Sequence, residues 1–374
     1  MALALYRKYR PQKLGDLLGQ ETNVEILKNA ARQNRIGHAY LFYGPRGTGK
    51  TTTARLIAKL LNCERRAKDP KFQKEGEPCN ECRSCSEINA GTSFDVIEID
   101  AASNRGIDEI RNLKESIHAS PAGSDFKVYI IDEAHMLTGP AFNALLKTLE
   151  EPPKHAVLIL ATTEYEKLPP TITSRTQRFL FKKLPKTKII DKLKTIAKAE
   201  KIEIDEAALE LVAASGEGSL RDAESLLDQL ASLENKIDLK TAELLTGRVG
   251  FRKVSGLAGL VISNDLKGSL DYLAKLNEEG HNLVQLAKDL IHYFRKIMSL
   301  KVNPSLEEIF ASELTKEEIV QLKKLSEAVD LDRQIKLTKD LIRAYSEMRY
   351  SPFQMVPLEI ALIENLSTPK NHKS

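Results

Sequence analysis

Residues 44–51 read Gly44-Pro45-Arg46-Gly47-Thr48-Gly49-Lys50-Thr51 and fit the phosphate-binding pattern G-x-x-x-x-G-K-[ST]. Glycines let a backbone turn tightly, so that successive N–H groups can point at phosphate oxygens. The pattern assigns Lys50 to the β- and γ-phosphates and the hydroxyl of Thr51 to Mg²⁺. The chemistry indicated is the binding of a nucleoside triphosphate such as ATP.

The flanking sequence separates a real phosphate loop from a glycine-rich turn that fits by chance. A short apolar run precedes the loop at 38–43, and helical apolar spacing follows from Thr52 to Leu61. This order puts the phosphates at a helix N-terminus, where free N–H groups and the dipole favour anions. We therefore interpret residues 44–52 as a nucleotide site.

Length and composition limit the class of protein. The chain has 374 residues, enough for two or three domains, and 42% of them are hydrophobic. The formal net charge of +4 is small beside 29% charged residues, so any nucleic-acid surface must be local. The sequence shows no signal peptide and no apolar run of about 20 residues, so we expect a cytoplasmic protein that does not enter a membrane.

The pattern of strands and helices changes along the chain and predicts three domains. Strands alternate with helices from residue 38 to about 181. This predicts an α/β domain over 1–180, with a parallel sheet and its ligand at the carboxyl ends of the strands. Short helices follow over 181–247, where strand signals stop. Longer helices with apolar stripes over 248–374 predict an all-α domain.

Four cysteines are grouped in sequence, namely Cys63, Cys79, Cys82 and Cys85. Their C-x₂-C spacings suit a tetrahedral Zn²⁺ site, and metal binding would order the polar segment between the first two. An iron–sulfur cluster and a set of free thiols are the alternatives. We predict a structural zinc site, because four protein ligands leave no open coordination position.

Two acidic residues, Asp132 and Glu133, follow four apolar residues at the end of a predicted central strand. In a nucleotide hydrolase the first acid holds Mg²⁺ and the second activates the attacking water. Solvated acid pairs at strand ends are the alternative. The phosphate loop on a neighbouring strand favours the catalytic interpretation.

Three further residues have two interpretations each. Thr163 lies at the end of the next strand. Its hydroxyl either hydrogen-bonds the γ-phosphate or the attacking water, or it is simply a strand threonine whose hydroxyl is satisfied within the fold. Arg175 is either solvated or reaches the γ-phosphate of a neighbouring copy. Arg221 lies in the first turn of a helix, where a cation opposes the dipole unless an anion, or Asp222, relieves it.

The N-terminal stretch Tyr6-Arg7-Lys8-Tyr9-Arg10-Pro11 is basic and aromatic. Considered alone it suits a solvated arm, and packing near an adenine is the alternative.

Together these stretches resemble the AAA+ ATPases and, more closely, the gamma/tau family of clamp-loader subunits of bacterial DNA polymerase III. The resemblance covers essentially the whole chain. It depends most on the four cysteines and on the motifs at 6–11, 44–51, 131–137, 142–153 and 218–222.

The resemblance implies specific roles for several residues. Thr163 would be the sensor 1 residue, Arg221 the sensor 2 arginine at the nucleotide, and Arg175 an arginine finger acting in trans. The N-terminal stretch would line the adenine pocket through Arg7, Arg10 and Pro11, which reverses the interpretation as a solvated arm. The family's finger motif is Ser-Arg-Cys, whereas residues 174–176 here are Ser-Arg-Thr, and the arginine is retained.

The resemblance also implies a function and a set of partners. The chain would be an ATP-driven motor subunit, using ATP, Mg²⁺ and Zn²⁺, that loads a sliding clamp onto primed DNA. Residues 181–247 would form a lid, and residues 248–374 the collar of a pentamer. The partners would be further copies of itself, delta- and delta-prime-type subunits, the clamp and double-stranded DNA. Candidate contacts to DNA phosphates are Asn104, Arg105 and Arg111.

Two other functions compete with this interpretation. A DNA-remodelling motor such as a branch-migration helicase would translocate along DNA, and no feature of the sequence requires that. A non-hydrolysing scaffold subunit tends to lose the lysine or the acidic pair, whereas this chain retains Lys50, Thr51, Asp132 and Glu133. No part of the chain resembles a nucleotidyl-transfer site, so we do not expect it to be the polymerase itself.

Overall fold

The computed structural model describes residues 3–104, 113, 115–233, 236–311 and 314–366. The chain forms two compact units. The first comprises Met1–Leu184 with Ser219–Arg221, and the second comprises Pro185–Gly218 with Asp222–Ser374. The predicted boundaries near residues 180 and 247 stay a prediction.

A five-stranded sheet forms the centre of the first unit. Its strands are β1 Ala39–Tyr43, β2 Val96–Asp100, β3 Lys127–Asp132, β4 Ala156–Thr162 and β5 Gln177–Leu180, and their order in the sheet is β2-β3-β4-β1-β5. All its neighbouring strands pair in parallel. Every residue of β4 is buried, as expected for a parallel strand covered on both faces. The predicted α/β architecture is confirmed.

Two hydrophobic cores lie on opposite faces of this sheet. Tyr40 and Phe42 of β1 enter one core, whereas Leu41 enters the other, because successive side chains of a strand point to opposite faces. Helices Glu21–Arg32 and Lys50–Asn62 cover the first face, and helix Gly139–Glu150 covers the second. Further short helices with described bounds in this unit are Leu5–Lys8, Leu14–Asp16, Glu64–Lys68, Pro70–Gln73, Arg83–Ala90, Ala134–Met136, Tyr165–Lys167 and Pro170–Thr173.

Element boundaries differ from the sequence predictions at a few places. The helix after the phosphate loop begins at Lys50, directly after a left-handed Gly49. The turn Leu5–Lys8 has too few residues for a period to be visible in the sequence. The sequence pattern predicts a strand over residues 94–100, whereas strand β2 begins at Val96 and the side chain of Phe94 is 86% exposed. The sequence pattern also predicts a helix over residues 107–117, which lies largely outside the described residues.

The second unit is mainly helical and has one continuous hydrophobic core over residues 249–366. The predicted apolar stripe is confirmed, since all its members on helix Leu283–Val302 are buried. The three-residue spacing of Thr315 and Glu318 in the sequence predicts a capping box. The capping box is present, with the Thr315 N–H donating to Glu318 Oε2 at 2.8 Å. The other helices are Lys186–Glu200, Glu206–Ser215, Leu220–Ala231, Leu239–Thr246, Phe251–Ile262, Leu266–Glu278, Leu306–Phe310, Lys316–Ala328, Leu331–Met348 and Met355–Leu366.

The expectation that strands stop after Pro185 is wrong in one detail. Strands β6 (Glu203–Ile204) and β7 (Lys236–Ile237) form a small parallel pair within the second unit. Each strand has two residues, so there is no alternation that sequence analysis could detect. In the part of the chain that the structure describes, no helix combines the length and apolar character of a membrane span.

We expect Leu290→Ala to destabilise the helical core of the second unit by about 2–5 kcal/mol, because it opens a cavity at a fully buried position. Native-state hydrogen exchange of the amides in helix Leu283–Val302 measures this loss. Val302→Ala on the same helix is the matched control, since its side chain is 72% exposed. Equal exchange in both variants would contradict the assigned core.

Candidate nucleotide site and cysteine cluster

The candidate site lies at the carboxyl edge of the large sheet. The phosphate loop follows β1, Asp132 ends β3 and Thr163 follows β4. The register brings them side by side, since Tyr43 pairs with Thr162 and the Gly44 N–H donates to the Thr162 carbonyl at 3.2 Å. Three polar sequences that are far apart along the chain therefore meet at one edge.

The phosphate loop has a backbone that favours glycine at three positions. Gly44, Gly47 and Gly49 have φ values of 137°, 70° and 104°. A Cβ on Gly44 would lie 2.1 Å from the Phe181 carbonyl oxygen, and one on Gly47 would lie 1.8 Å from Ser219 Oγ. The loop's shape is therefore fixed both by its own backbone and by what packs against it.

Lys50 is buried within this loop. Its Nζ donates to the carbonyl oxygens of Gly44 and Pro45, each at 2.8 Å. Burial lowers the pKa of Lys50, while the carboxylates of Glu133 and Asp132 act in the opposite direction. The ammonium group thus lies in the concave side of the loop, close to both acids.

Thr51 and Asp132 meet directly, with Thr51 Oγ1 donating to Asp132 Oδ2 at 2.7 Å. The other carboxylate oxygen of Asp132 accepts the Glu133 N–H at 2.9 Å. A hydroxyl and a carboxylate are the hard oxygen ligands that Mg²⁺ prefers. This donor pair fits the magnesium ligands that the sequence predicts.

Glu133 has a left-handed backbone, with φ 48° and ψ 44°. Its Oε2 accepts a hydrogen bond from Thr163 Oγ1 at 3.1 Å, and about one third of its side chain is exposed. Thr163 is thus in contact with the second acid in this structure, a partner that the sequence did not suggest.

His135 contacts the same acid and was not among the predicted site residues. Its Nδ1 lies 3.0 Å from Thr162 Oγ1 and 3.5 Å from Glu133 Oε2, and its Nε2 lies 3.1 Å from Glu164 Oε1. The imidazole is buried between two carboxylates, at the end of β3. The sequence signals for it were its position two residues after Glu133 and its place in the motif at 131–137.

Positive charge is concentrated beside the loop. The guanidinium carbon of Arg221 lies 4.9 Å from the centre of the Tyr6 ring, and a Cβ on Gly47 would lie 3.4 Å from the Arg221 Cβ. Burial lowers the pKa of Arg10. The charges of Arg55, Arg221 and Arg7 lower this pKa further, whereas the carboxylate of Glu98 raises it. Such a group of cations favours an anionic ligand. Pro11 is half-buried, whereas Arg7 and Arg46 are exposed.

The four cysteines converge. Their sulfur atoms all lie within 4.8 Å of one another, and the Cys79 and Cys85 sulfurs are 4.0 Å apart. Four sulfurs bound to one ion at 2.3 Å would be about 3.8 Å apart. The N–H groups of Glu81 and Cys82 also donate to the Cys79 sulfur, at 3.4 and 3.3 Å. The spacing fits a single tetrahedral ion such as Zn²⁺ and favours it over a larger iron–sulfur cluster.

Arg175 makes its contacts apart from these groups. Its Nε donates to Glu150 Oε1 at 2.8 Å, and its Nη1 donates to the Thr171 carbonyl at 2.9 Å. Its side chain is about one third exposed. The structure therefore does not bring Arg175 to the phosphate loop of its own chain.

Of the candidate DNA contacts, only Asn104 lies among the described residues. Its Nδ2 donates to the Asp100 carbonyl at 3.1 Å, which folds the side chain back onto the end of β2. Arg105 and Arg111 lie outside the described residues.

Comparison with known proteins gives matches along most of the chain. Residues 19–185 match the model described as DNA polymerase III, delta subunit. Residues 188–233 match the ATPase lid domain of a DNA polymerase III clamp loader subunit. Residues 237–372 match domain III of the DNA polymerase III subunits gamma and tau.

Curated relatives agree with these models. The chain is 41% identical to DNA polymerase III subunit tau of Bacillus subtilis over 99% of its own length and 64% of that protein. It is 35% and 37% identical to DNA polymerase III subunit gamma of Buchnera aphidicola from Acyrthosiphon pisum and from Schizaphis graminum, in each case over 98% of the relative. The chain thus spans less than two thirds of the tau protein and nearly all of each gamma protein.

We expect the purified chain to contain one zinc ion, and Cys85→Ser to lose it, because a hydroxyl is a far weaker zinc ligand than a thiolate. Elemental analysis for zinc and iron measures both results. Ser86→Ala, at an exposed neighbouring position, should retain the metal. Iron in place of zinc, or full zinc content in Cys85→Ser, would refute the assignment.

Proposed function

This chain belongs to the gamma/tau family of DNA polymerase III clamp-loader subunits, and on that premise we propose that it is an ATP-driven motor subunit. In this role it binds and hydrolyses ATP to load a sliding clamp onto primed DNA. The family is that of the loader and not of the polymerase itself. The proposal depends chiefly on one observation, which is the meeting of Lys50, Thr51, Asp132 and Glu133 at one edge of the sheet.

The proposed nucleotide site assigns a role to each group. The backbone N–H groups of residues 44–52 bind the phosphates, and Lys50 exchanges its two carbonyl partners for β- and γ-phosphate oxygens. Thr51 and Asp132 would hold Mg²⁺, which would neutralise charge on the phosphates. Glu133 orients and deprotonates the attacking water. Thr163 is assigned the sensor 1 role, in which its hydroxyl contacts the γ-phosphate or the attacking water. Its hydrogen bond to Glu133 supports this, because it places the hydroxyl beside the proposed base.

Recognition of the rest of the nucleotide is assigned to the N-terminal stretch and Arg221. Arg7, Arg10 and Pro11 line the adenine side, and Arg221 acts as the sensor 2 arginine. The contact between Tyr6 and Arg221 supports this, because it joins the two elements beside Gly47.

Arg175 is proposed as the arginine finger that completes the site of a neighbouring copy. Its position away from its own phosphate loop supports an action in trans. To reach a neighbour's γ-phosphate it must leave Glu150. An exposed ion pair of this kind is worth only about 0–1 kcal/mol, so the exchange is energetically easy.

The remaining assignments follow from the family. The cysteine cluster is a structural zinc site, residues 181–247 form the lid, and residues 248–374 form the collar. The partners are further copies of the chain, delta- and delta-prime-type subunits, the sliding clamp, and primed DNA bound through its phosphates. Asn104, Arg105 and Arg111 remain candidates for DNA contact. The intact lysine and acid pair argue against a non-hydrolysing scaffold.

The test measures ATP hydrolysis by the chain alone and mixed with delta-type subunits, sliding clamp and primed DNA. We expect strong stimulation only in the full mixture, and a fall of about 10²-fold or more with Lys50→Ala, which removes the phosphate-binding ammonium. Lys154→Ala, at the opposite edge of the sheet, is the control. High activity on duplex DNA alone would instead indicate a remodelling motor.

Arg175→Ala should leave ATP binding intact and lower turnover in the assembly by roughly 10³-fold or more, because the phosphoryl transition state loses its cation in trans. Equilibrium binding of ATP and steady-state hydrolysis by the full mixture are the two measurements. Arg178→Ala removes an exposed arginine on β5 and serves as the control. Normal hydrolysis by Arg175→Ala assemblies would make the finger assignment wrong.

A further inference from the structure

Lys59 connects three parts of the first unit. It lies on the helix that begins with Lys50 and is 2% exposed. Its Nζ donates to Gln12 Oε1 at 2.9 Å, to Asn80 Oδ1 at 2.7 Å and to Asn89 Oδ1 at 2.8 Å. One buried ammonium thus joins the phosphate-loop helix, the N-terminal segment (residues 5–17) and the cysteine module (residues 63–90).

A second link joins the cysteine module to the N-terminal segment directly. Glu77 accepts the N–H groups of Leu14 and Gly15 at 2.6 and 2.9 Å, and pairs with Lys28 at 2.6 Å. Asn80 Nδ2 donates to the Gln12 carbonyl at 3.0 Å. Hydrogen bonds to a charged acceptor are among the stronger ones, at about 1.5–3 kcal/mol.

The cysteine cluster determines where Asn80 lies. Asn80 is between Cys79 and Cys82 and has a left-handed backbone, with φ 62°. The N–H groups on its C-terminal side, those of Glu81 and Cys82, donate to the Cys79 sulfur. A change at the sulfurs therefore moves the turn that presents the Asn80 side chain to Gln12 and Lys59.

The N-terminal segment in turn contacts the nucleotide site. Leu17 packs on the phosphate loop, where a Cβ on Gly49 would lie 3.3 Å from Leu17 Cδ2. Tyr6 packs on Arg221, and Arg10 lies among the arginines beside the loop. Regular structure in this segment is limited to the four residues Leu5–Lys8 and the three residues Leu14–Asp16. Its position thus depends on contacts with other elements.

We propose that the cysteine module is a positioning device for ATP, in which Glu77 and Asn80 hold the N-terminal segment against the nucleoside side of the site. Metal binding at the cysteines thereby sets the affinity for ATP. This inference rests on the proposed function, because it requires that residues 44–52 bind ATP. Glu77 and Asn80 are positioning residues and touch no phosphate.

The test compares two ligands in the presence of Mg²⁺ by calorimetry on the full chain, namely ATP and inorganic tripolyphosphate. Glu77→Gln keeps the shape but removes the charge, and Asn80→Gly keeps the left-handed backbone without strain. Both should weaken ATP binding by roughly tenfold, as expected for the loss of one charge-assisted hydrogen bond. Tripolyphosphate binding should be unchanged, because the loop itself is intact.

The matched control is Glu81→Gln. Glu81 lies on the same turn, but its side chain is 80% exposed and pairs only loosely with Arg65, at 3.6 Å. It should bind both ligands as the parent chain does. Zinc content is measured for every variant, and hydrogen exchange of the amides of residues 5–17 should rise in Glu77→Gln and Asn80→Gly alone. Removal of zinc from the parent by a chelator should reproduce both effects.

The outcomes separate the two hypotheses. If the parent chain binds neither ligand, the proposed ATP function fails and the inference fails with it. If the parent binds ATP and both variants bind it equally well, the positioning role is refuted while the ATP function stands. If a variant loses ATP and tripolyphosphate to the same extent, the effect is a general loss of structure, and the positioning role is again refuted.

Discussion

All five strands of the large sheet are parallel, so the polar residues that follow them are brought to one edge. Strand β4 lies between β1 and β3, which sets the phosphate loop two strands from Asp132 and puts Thr163 between them. The hydrogen bond from Thr51 to Asp132 crosses this interval and joins residues 81 positions apart. The catalytic groups thus depend on strand order more than on any local feature. A shift of one residue in the β1–β4 register would separate them.

A second polar network, formed by Lys59, Glu77 and Asn80, supports one element that has little regular structure. The N-terminal segment contributes Tyr6 and Arg10 beside the loop, yet its backbone is fixed by Glu77 and by Asn80. Lys59 adds a buried cation whose Nζ donates to amide oxygens on both sides. Each buried polar group of this kind needs a hydrogen-bond partner. The network therefore favours the one arrangement of these elements in which every group has a partner. The cysteine module therefore contacts the N-terminal segment, and the N-terminal segment contacts the nucleotide site.

The sequence predicted the parts of this molecule whose signal is either a period or a fixed spacing. The parallel sheet, the helix stripe from Leu283 to Ile297 and the convergence of the four cysteines all belong to this class. The sequence did not predict contacts made by tertiary packing, such as His135 against Glu133. Lys59 is a lysine on an apolar helix, and only the fold shows that its head group is buried. The sequence did not predict the pair β6–β7, because a strand of two residues is too short to show an alternation of polar and apolar side chains. The roles assigned to Thr163, Arg175 and Arg221 rest on family resemblance and were not derivable from spacing.

The backbone of Glu133 has a consequence for how sequences of this family can change. A left-handed conformation is unfavourable for a glutamate and ordinary for glycine, a difference on the order of 1 kcal/mol. Replacement by glycine would relieve that strain and remove the carboxylate in the same step. Stability alone thus acts against an acid at this position. A glutamate persists there only under selection for what its carboxylate does, so relaxed selection should lead to its loss before the fold itself is affected.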